Sequence, residues 1–99
     1  MERYAVLWQE GGSAPVTGRL DFGARSLTLH GGPRGAEVRV EIPYTDICAA
    51  ERGREAIGPL RAIRLDSRTR GSMLLATLGG LTLRGEILES LQRAVSAVV

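Results

Sequence analysis

The chain has 99 residues, 43% of them apolar and 24% charged, with 13 basic against 11 acidic side chains and a net charge of +2. That is the size and composition of one globular domain covering residues 1–99, large enough to fold without a disulfide or a structural metal. So even a charge balance argues against nucleic acid as a partner, because phosphate-backbone binding needs a strong excess of cations.

Every basic residue is arginine, so lysine chemistry such as a Schiff base is excluded. Cys48 is the only cysteine, so no internal disulfide can form. The opening Met1-Glu2-Arg3-Tyr4 lacks the charged-then-apolar pattern of a signal peptide. The charge-free stretch Ser72 to Leu83 falls short of the roughly 20 residues a membrane-spanning helix needs. A cytoplasmic location is therefore the expectation.

Turn signals recur along most of the chain at the spacing of an all-β sandwich or barrel. Arg3 to Gln9 alternates Tyr4, Val6 and Trp8 against Ala5 and Leu7, and Gly11 to Pro15 then forces a loop. Val16, Leu20 and Phe22 share one face of a second strand, with Arg19 and Asp21 on the other. After a tight turn at Gly23-Ala24-Arg25, Leu27 and Leu29 point inward on a third strand while Thr28 and His30 point outward. Gly31 to Gly35 ends it.

The fourth strand alternates Val38, Val40, Ile42 and Tyr44 against Glu37, Arg39 and Glu41, the pattern of a half-buried antiparallel strand. Pro43 at its end marks an edge or a bend, since proline cannot donate to a ladder. A short fifth strand is expected over Ile47 to Arg52, a loop over Gly53 to Pro59, and a sixth strand over Leu60 to Asp66. The seventh, Ser72 to Leu78, is apolar on both faces and must be covered on both sides.

The period then changes. Ile87, Leu88, Leu91, Val95 and Val98 form one stripe of an amphipathic helix, with a start expected between Thr82 and Gly85 after the Gly79-Gly80 break. Glu89 and Arg93 form an i,i+4 pair in the favourable order. The helix would close an otherwise open core. The predicted fold class is mainly β: seven strands in a bent sheet or partial barrel, capped by one C-terminal α-helix.

Seven short strands and a terminal helix in about 100 residues resemble the pleckstrin-homology-like superfold. Gly18-Arg19-Leu20 followed by Leu27-Thr28-Leu29 is similar to the G-x-L…L-x-L strand pair of its bacterial PH-like and GRAM-like members. Ile42-Pro43-Tyr44-Thr45-Asp46-Ile47 is similar to their I-P-Y-x-D-I passage into the fifth strand. The chain departs from the phosphoinositide-binding members in its first hairpin loop, Gln9 to Pro15, which holds one acid and no base. Trp8 stands in the first strand, whereas the familiar eukaryotic domain carries its tryptophan in the terminal helix. The resemblance implies a binding module and names no ligand.

No catalytic constellation is visible. Cys48 would need a base, and the one histidine, His30, faces outward on another strand, so Cys48 reads as a small buried hydrophobe. One histidine and one cysteine cannot close a zinc shell without carboxylates, so neither a metal nor another cofactor is expected. Asp46 is expected to tighten the turn after Tyr44 by bonding a nearby backbone amide. Asp21 and Asp66 sit at strand ends, where such residues are common. The glycine pairs lack the pattern of a phosphate-binding loop and read as turns. Asp21 to Ser26 approximates part of a PilZ-type cyclic-dinucleotide motif, but its R-x-x-x-R partner is missing.

The PH-like layout would bring the loops after strands one, three and six to one end. That would gather Arg34, Arg68 and Arg70 as a candidate anion or lipid site. The expected function is a non-catalytic module for protein–protein interaction or homo-oligomerisation through a sheet edge. The alternative is weak, salt-sensitive contact with an anionic membrane.

Overall fold

A computed structural model describes residues 3–79 and 81–97. Seven antiparallel strands run β1 (Arg3–Glu10), β2 (Val16–Phe22), β3 (Ser26–Gly31), β4 (Val38–Pro43), β5 (Ile47–Ile57), β6 (Leu60–Ser67) and β7 (Gly71–Thr77). A single 3-10 turn, Tyr44–Asp46, links β4 to β5, and one helix, α1 (Leu81–Ala97), follows β7. The strands form one curled half-barrel sheet in the order β4-β3-β2-β1-β7-β6-β5. The predicted fold class is the observed one. Among the described residues no helix is long and apolar enough to cross a membrane.

Strict alternation builds the concave face. Tyr4, Val6 and Trp8, then Leu20, Leu27, Leu29, Val40, Ile42, Ile63, Leu65, Met73 and Leu75 all turn inward and are buried. Helix α1 lays Ile87, Leu88 and Leu91 onto this face, with Leu83, Ala94 and Val95 partly buried beside them. Burying three aliphatic side chains is worth about 5–9 kcal/mol, enough to dock the helix against the sheet. Gln92 adds a directional contact, donating from Nε2 to the Ala50 carbonyl of edge strand β5 at 3.3 Å.

The curl requires a place where side chains are missing. Gly18 and Gly31 are register partners on the inner face of β2 and β3. A Cβ built on either would stand 2.7 Å from the Cα of the other and against facing backbone oxygen. No side chain fits there, so the sheet can bend sharply at this row. The β5–β6 turn has a separate need: Gly58 has φ +58, and Pro59 follows it between the paired Ile57 and Leu60. Positive φ and then proline is the geometry of a type II′ hairpin turn, which matches strand twist.

Four expectations are corrected. The fifth strand does not stop at Arg52; it runs to Ile57, because two register irregularities, at Cys48 and between Arg52 and Ala56, absorb the residues that break the alternation. Cys48 is exposed, not a buried hydrophobe, since it is the extra residue between paired Ile47 and Ala49. Val38, opposite Gly31 on an edge strand, is 40% exposed, so the inward set of β4 begins at Val40. The helix begins at Leu81, one residue before the expected window. Gly80 and Val98, placed in the expected break and stripe, lie outside the described residues.

The two-sided covering expected of β7 is present over Gly71–Thr77, but Leu78, expected as the last residue of that strand, lies beyond it and is half exposed. The inner face of β7 joins the main core, while Ala76 and Leu74 on the outer face pack with Leu7, Ile57, Leu60 and Ala62 in a second cluster. The extended β5–β6 hairpin supplies half of that cover.

Leu91 is fully buried at the centre of the helix stripe. Leu91→Ala should cost about 2–5 kcal/mol, read as a lower urea midpoint at unchanged slope. Leu91→Asp should abolish the cooperative transition, because it buries an unpaired charge. A wild-type transition in Leu91→Asp would mean that α1 does not close the core.

Candidate functional site

Helix α1 packs on β5, β6, β7 and the 3-10 turn, and it leaves the β2–β3 end of the concave face less covered. A groove of about 300 Å³ opens there, between the last turns of α1 and the β2–β3 turn. Phe22, Gly23, Ala24 and Tyr44 form one wall, and Ser90, Arg93, Ala94 and Ala97 the other. The lining is mainly apolar, with a guanidinium at the rim.

The first wall is rigid for identifiable reasons. The Tyr44 hydroxyl donates to the Gly23 carbonyl at 2.7 Å, and its backbone N–H donates to the Arg25 carbonyl at 3.0 Å. The Gly23 N–H closes the turn on the Ser26 carbonyl at 2.9 Å. Burial pushes the Tyr44 phenol above its ordinary pKa, so it stays a donor. The Phe22 ring meets Tyr4 edge-on, with centroids 6.1 Å apart. On the other wall, Arg93 is tied to Glu89 by the expected i,i+4 pair at 3.0 Å.

Asp46 locks the corner beneath this wall. Its carboxylate accepts hydrogen bonds from the Ser67 and Thr69 hydroxyls, each at 2.6 Å, and its backbone carbonyl accepts the Arg68 N–H at 2.9 Å. The expected bond to a nearby amide is thus replaced by a longer-range tie to the β6–β7 loop. Hydrogen bonding from Ser67, then from Thr69, holds the Asp46 carboxyl below its ordinary pKa. Asp66 is likewise lowered, chiefly by the Ser72 hydroxyl. The backbone N–H of Gly35 lowers Glu37.

Strand directions put the loops carrying Arg34, Arg68 and Arg70 at one end of the sheet. Four strand spacings separate them along it, however, roughly 19 Å at about 4.8 Å each. Arg70 is engaged, its Nε 3.4 Å from a Glu10 carboxylate oxygen. Arg68 lies close enough to Asp46 to lower its pKa. Arg34 sits on the β3–β4 loop, anchored where the Gly32 N–H donates to the Thr17 carbonyl at 3.1 Å. No described contact joins Arg34 to the other two.

His30 and Cys48 are on β3 and β5, with four strands between them in the sheet order. Among the described residues no three His, Cys, Asp or Glu side chains converge as metal ligands. Asp21 is not idle at its strand end: it is bridged by Arg3 and Arg19, each Nε 3.3 Å from one of its oxygens. The sequence reading passed over the groove. Its one signal was the small-residue run of Ser90, Ala94 and Ala97 at helical spacing.

No protein-family model matches the chain, and no curated protein matches it. In fold, the chain is similar to a solved structure described as the C-terminal domain of an unknown protein from Leishmania infantum. The two share 17% identity at a TM-score of 0.74, over 96% of this chain and 82% of that one. A likeness at that identity carries the fold alone.

A carboxyl whose pKa is lowered by folding stabilises the native state above its unfolded value, and that stability is lost as pH falls through the folded value. For Asp46 the loss should begin near its ordinary value of 3.8 and continue below it. Urea denaturation at stepped pH should show this decline in the wild type and a shallower one in Asp46→Asn. Equal slopes would mean that the Ser67–Asp46–Thr69 tie does not hold the corner.

Proposed function

We propose that this domain is a non-catalytic, pleckstrin-homology-like binding module of the bacterial kind, which docks a short apolar segment of a protein partner in the groove between α1 and the β2–β3 turn. The observation that carries this reading is the one-sided seating of α1. It leaves a mainly apolar cleft between two well-braced walls. Strand number, sheet order and terminal helix support the assignment to the superfold. The separation of His30 from Cys48 supports a role without catalysis. An exposed, free Cys48 fits the reducing cytoplasm.

Self-assembly through a sheet edge has less support. Edge strand β4 exposes Arg39 and Glu41 and ends in Pro43, and edge strand β5 is interrupted by its two irregularities. These are devices that blunt edge pairing. The membrane alternative is weakened by the pairing of Arg70 with Glu10 and by the distance to Arg34.

Random peptides displayed on phage should yield apolar-rich binders. Ser90→Arg, which fills the groove from the helix side, should weaken them by about tenfold or more while leaving the unfolding midpoint near wild type. Failure to enrich such peptides, or equal binding to the variant, would overturn the groove as the docking site. Co-sedimentation with phosphatidylserine vesicles should show no salt-sensitive binding. Salt-sensitive binding lost in the Arg34, Arg68 and Arg70 to Ala triple variant would establish the membrane alternative instead.

A further inference from the structure

The outer face of β2, β3 and β4 carries a feature that the groove does not use. The register places Arg19 of β2 directly opposite His30 of β3, and His30 directly opposite Arg39 of β4. All three are exposed and point away from the core. Opposed side chains on neighbouring strands start with Cβ atoms about 5 Å apart. The two arginines therefore flank the imidazole from either side, and their long side chains can reach over it.

A row of like charges is unfavourable in a sheet, and the nearby acids compensate it only in part. Arg19 engages Asp21 through Nε at 3.3 Å, with its side chain about half exposed. Asp21 is shared with Arg3. Arg39 reaches Glu41 at 3.6 Å, with both side chains more than half exposed. The row borders a depression of about 400 Å³, which Ser26, Thr28 and the arginine-bridged carboxylate Asp21 also line. Among the charged side chains that line this depression, Arg19 and Arg39 outnumber the one carboxylate, Asp21, while Glu41 and Glu37 stand next to the row.

We propose that this depression binds a tetrahedral dianion, phosphate or a phosphate monoester, held between the Arg19 and Arg39 guanidinium groups above His30. Guanidinium forks match the oxygen geometry of such an anion. The Ser26 and Thr28 hydroxyls offer neutral donors beside it. The Ser26 hydroxyl now donates to Glu41 at 3.0 Å and would have to turn. The site is independent of the apolar groove and of the loop arginines.

His30 is the only histidine, so its imidazole resonances report the site without ambiguity. The groups facing it are Arg19 from β2 and Arg39 and Glu37 from the β4 side, with Asp21 and Glu41 diagonal to it. Sulfate, a dianion at neutral pH, serves as the first probe, titrated at ionic strength held constant with chloride. The His30 resonances should move saturably. Arg39→Gln should weaken binding by about tenfold. Arg61→Gln, the same charge loss at an exposed position of β6, should not change it. A shift that never saturates, or equal weakening by both variants, would reduce the row to a solvated face and overturn the proposal. Inorganic phosphate and vesicles containing phosphatidic acid then separate the sources. Vesicle binding lost in Arg39→Gln assigns the dianion to a headgroup, and binding of free phosphate alone assigns it to a soluble ligand.

Discussion

A sheet curled into half a barrel has a concave face that water must not reach and too few strands to close over it. Every other feature of this fold answers that constraint. The curl is permitted where Gly18 faces Gly31, because two backbones approach there more closely than any Cβ would allow. The opening is filled by α1, whose Ile87, Leu88 and Leu91 complete the core that the strands only line. Helix and glycine pair thus do complementary work: one removes side-chain volume where the sheet bends, the other supplies it where the sheet stays open.

The seating of α1 also decides where a ligand can enter. The helix packs toward β5–β7 and is tied to the β5 edge by Gln92. The β2–β3 side is left to the Tyr44 brace and the edge-on contact of Phe22 with Tyr4. Asp46 fastens the same corner to the β6–β7 loop through two hydroxyls. These side chains come from distant parts of the sequence, so the groove is a property of the corner rather than of any one segment.

The alternation of β1 to β4 and the 3.6-residue stripe of α1 were legible because each follows from a single element meeting a single apolar face. The full extent of β5 was not. Gly53, Arg54 and Glu55 read as a loop, yet they sit in a register irregularity that bends the strand and brings Ile57 over the outer face of β7. Cys48 was misplaced for the same reason, since one extra residue reverses the side to which its neighbours point. Asp46 was recognised as a corner residue, but its partners lie more than twenty positions away, beyond the reach of turn chemistry.

Register explains why the Arg19–His30–Arg39 row escaped notice although each residue was placed on its correct face. Outward orientation is a property of one strand, whereas opposition depends on where the hairpins fold. The β2–β3 hairpin folds between Ala24 and Arg25, which reflects Arg19 onto His30, and β3–β4 folds between Arg34 and Gly35, which reflects His30 onto Arg39. A shift of one residue in either turn would have scattered the cations. The same β2–β3 turn borders both the apolar groove and the basic depression, and Gly23 lines each. Its N–H and carbonyl are both satisfied, by Ser26 and by Tyr44. The turn is therefore a fixed partition at this end of the sheet: the mainly apolar groove lies on its concave side and the charged row on its convex side, and neither disturbs the core.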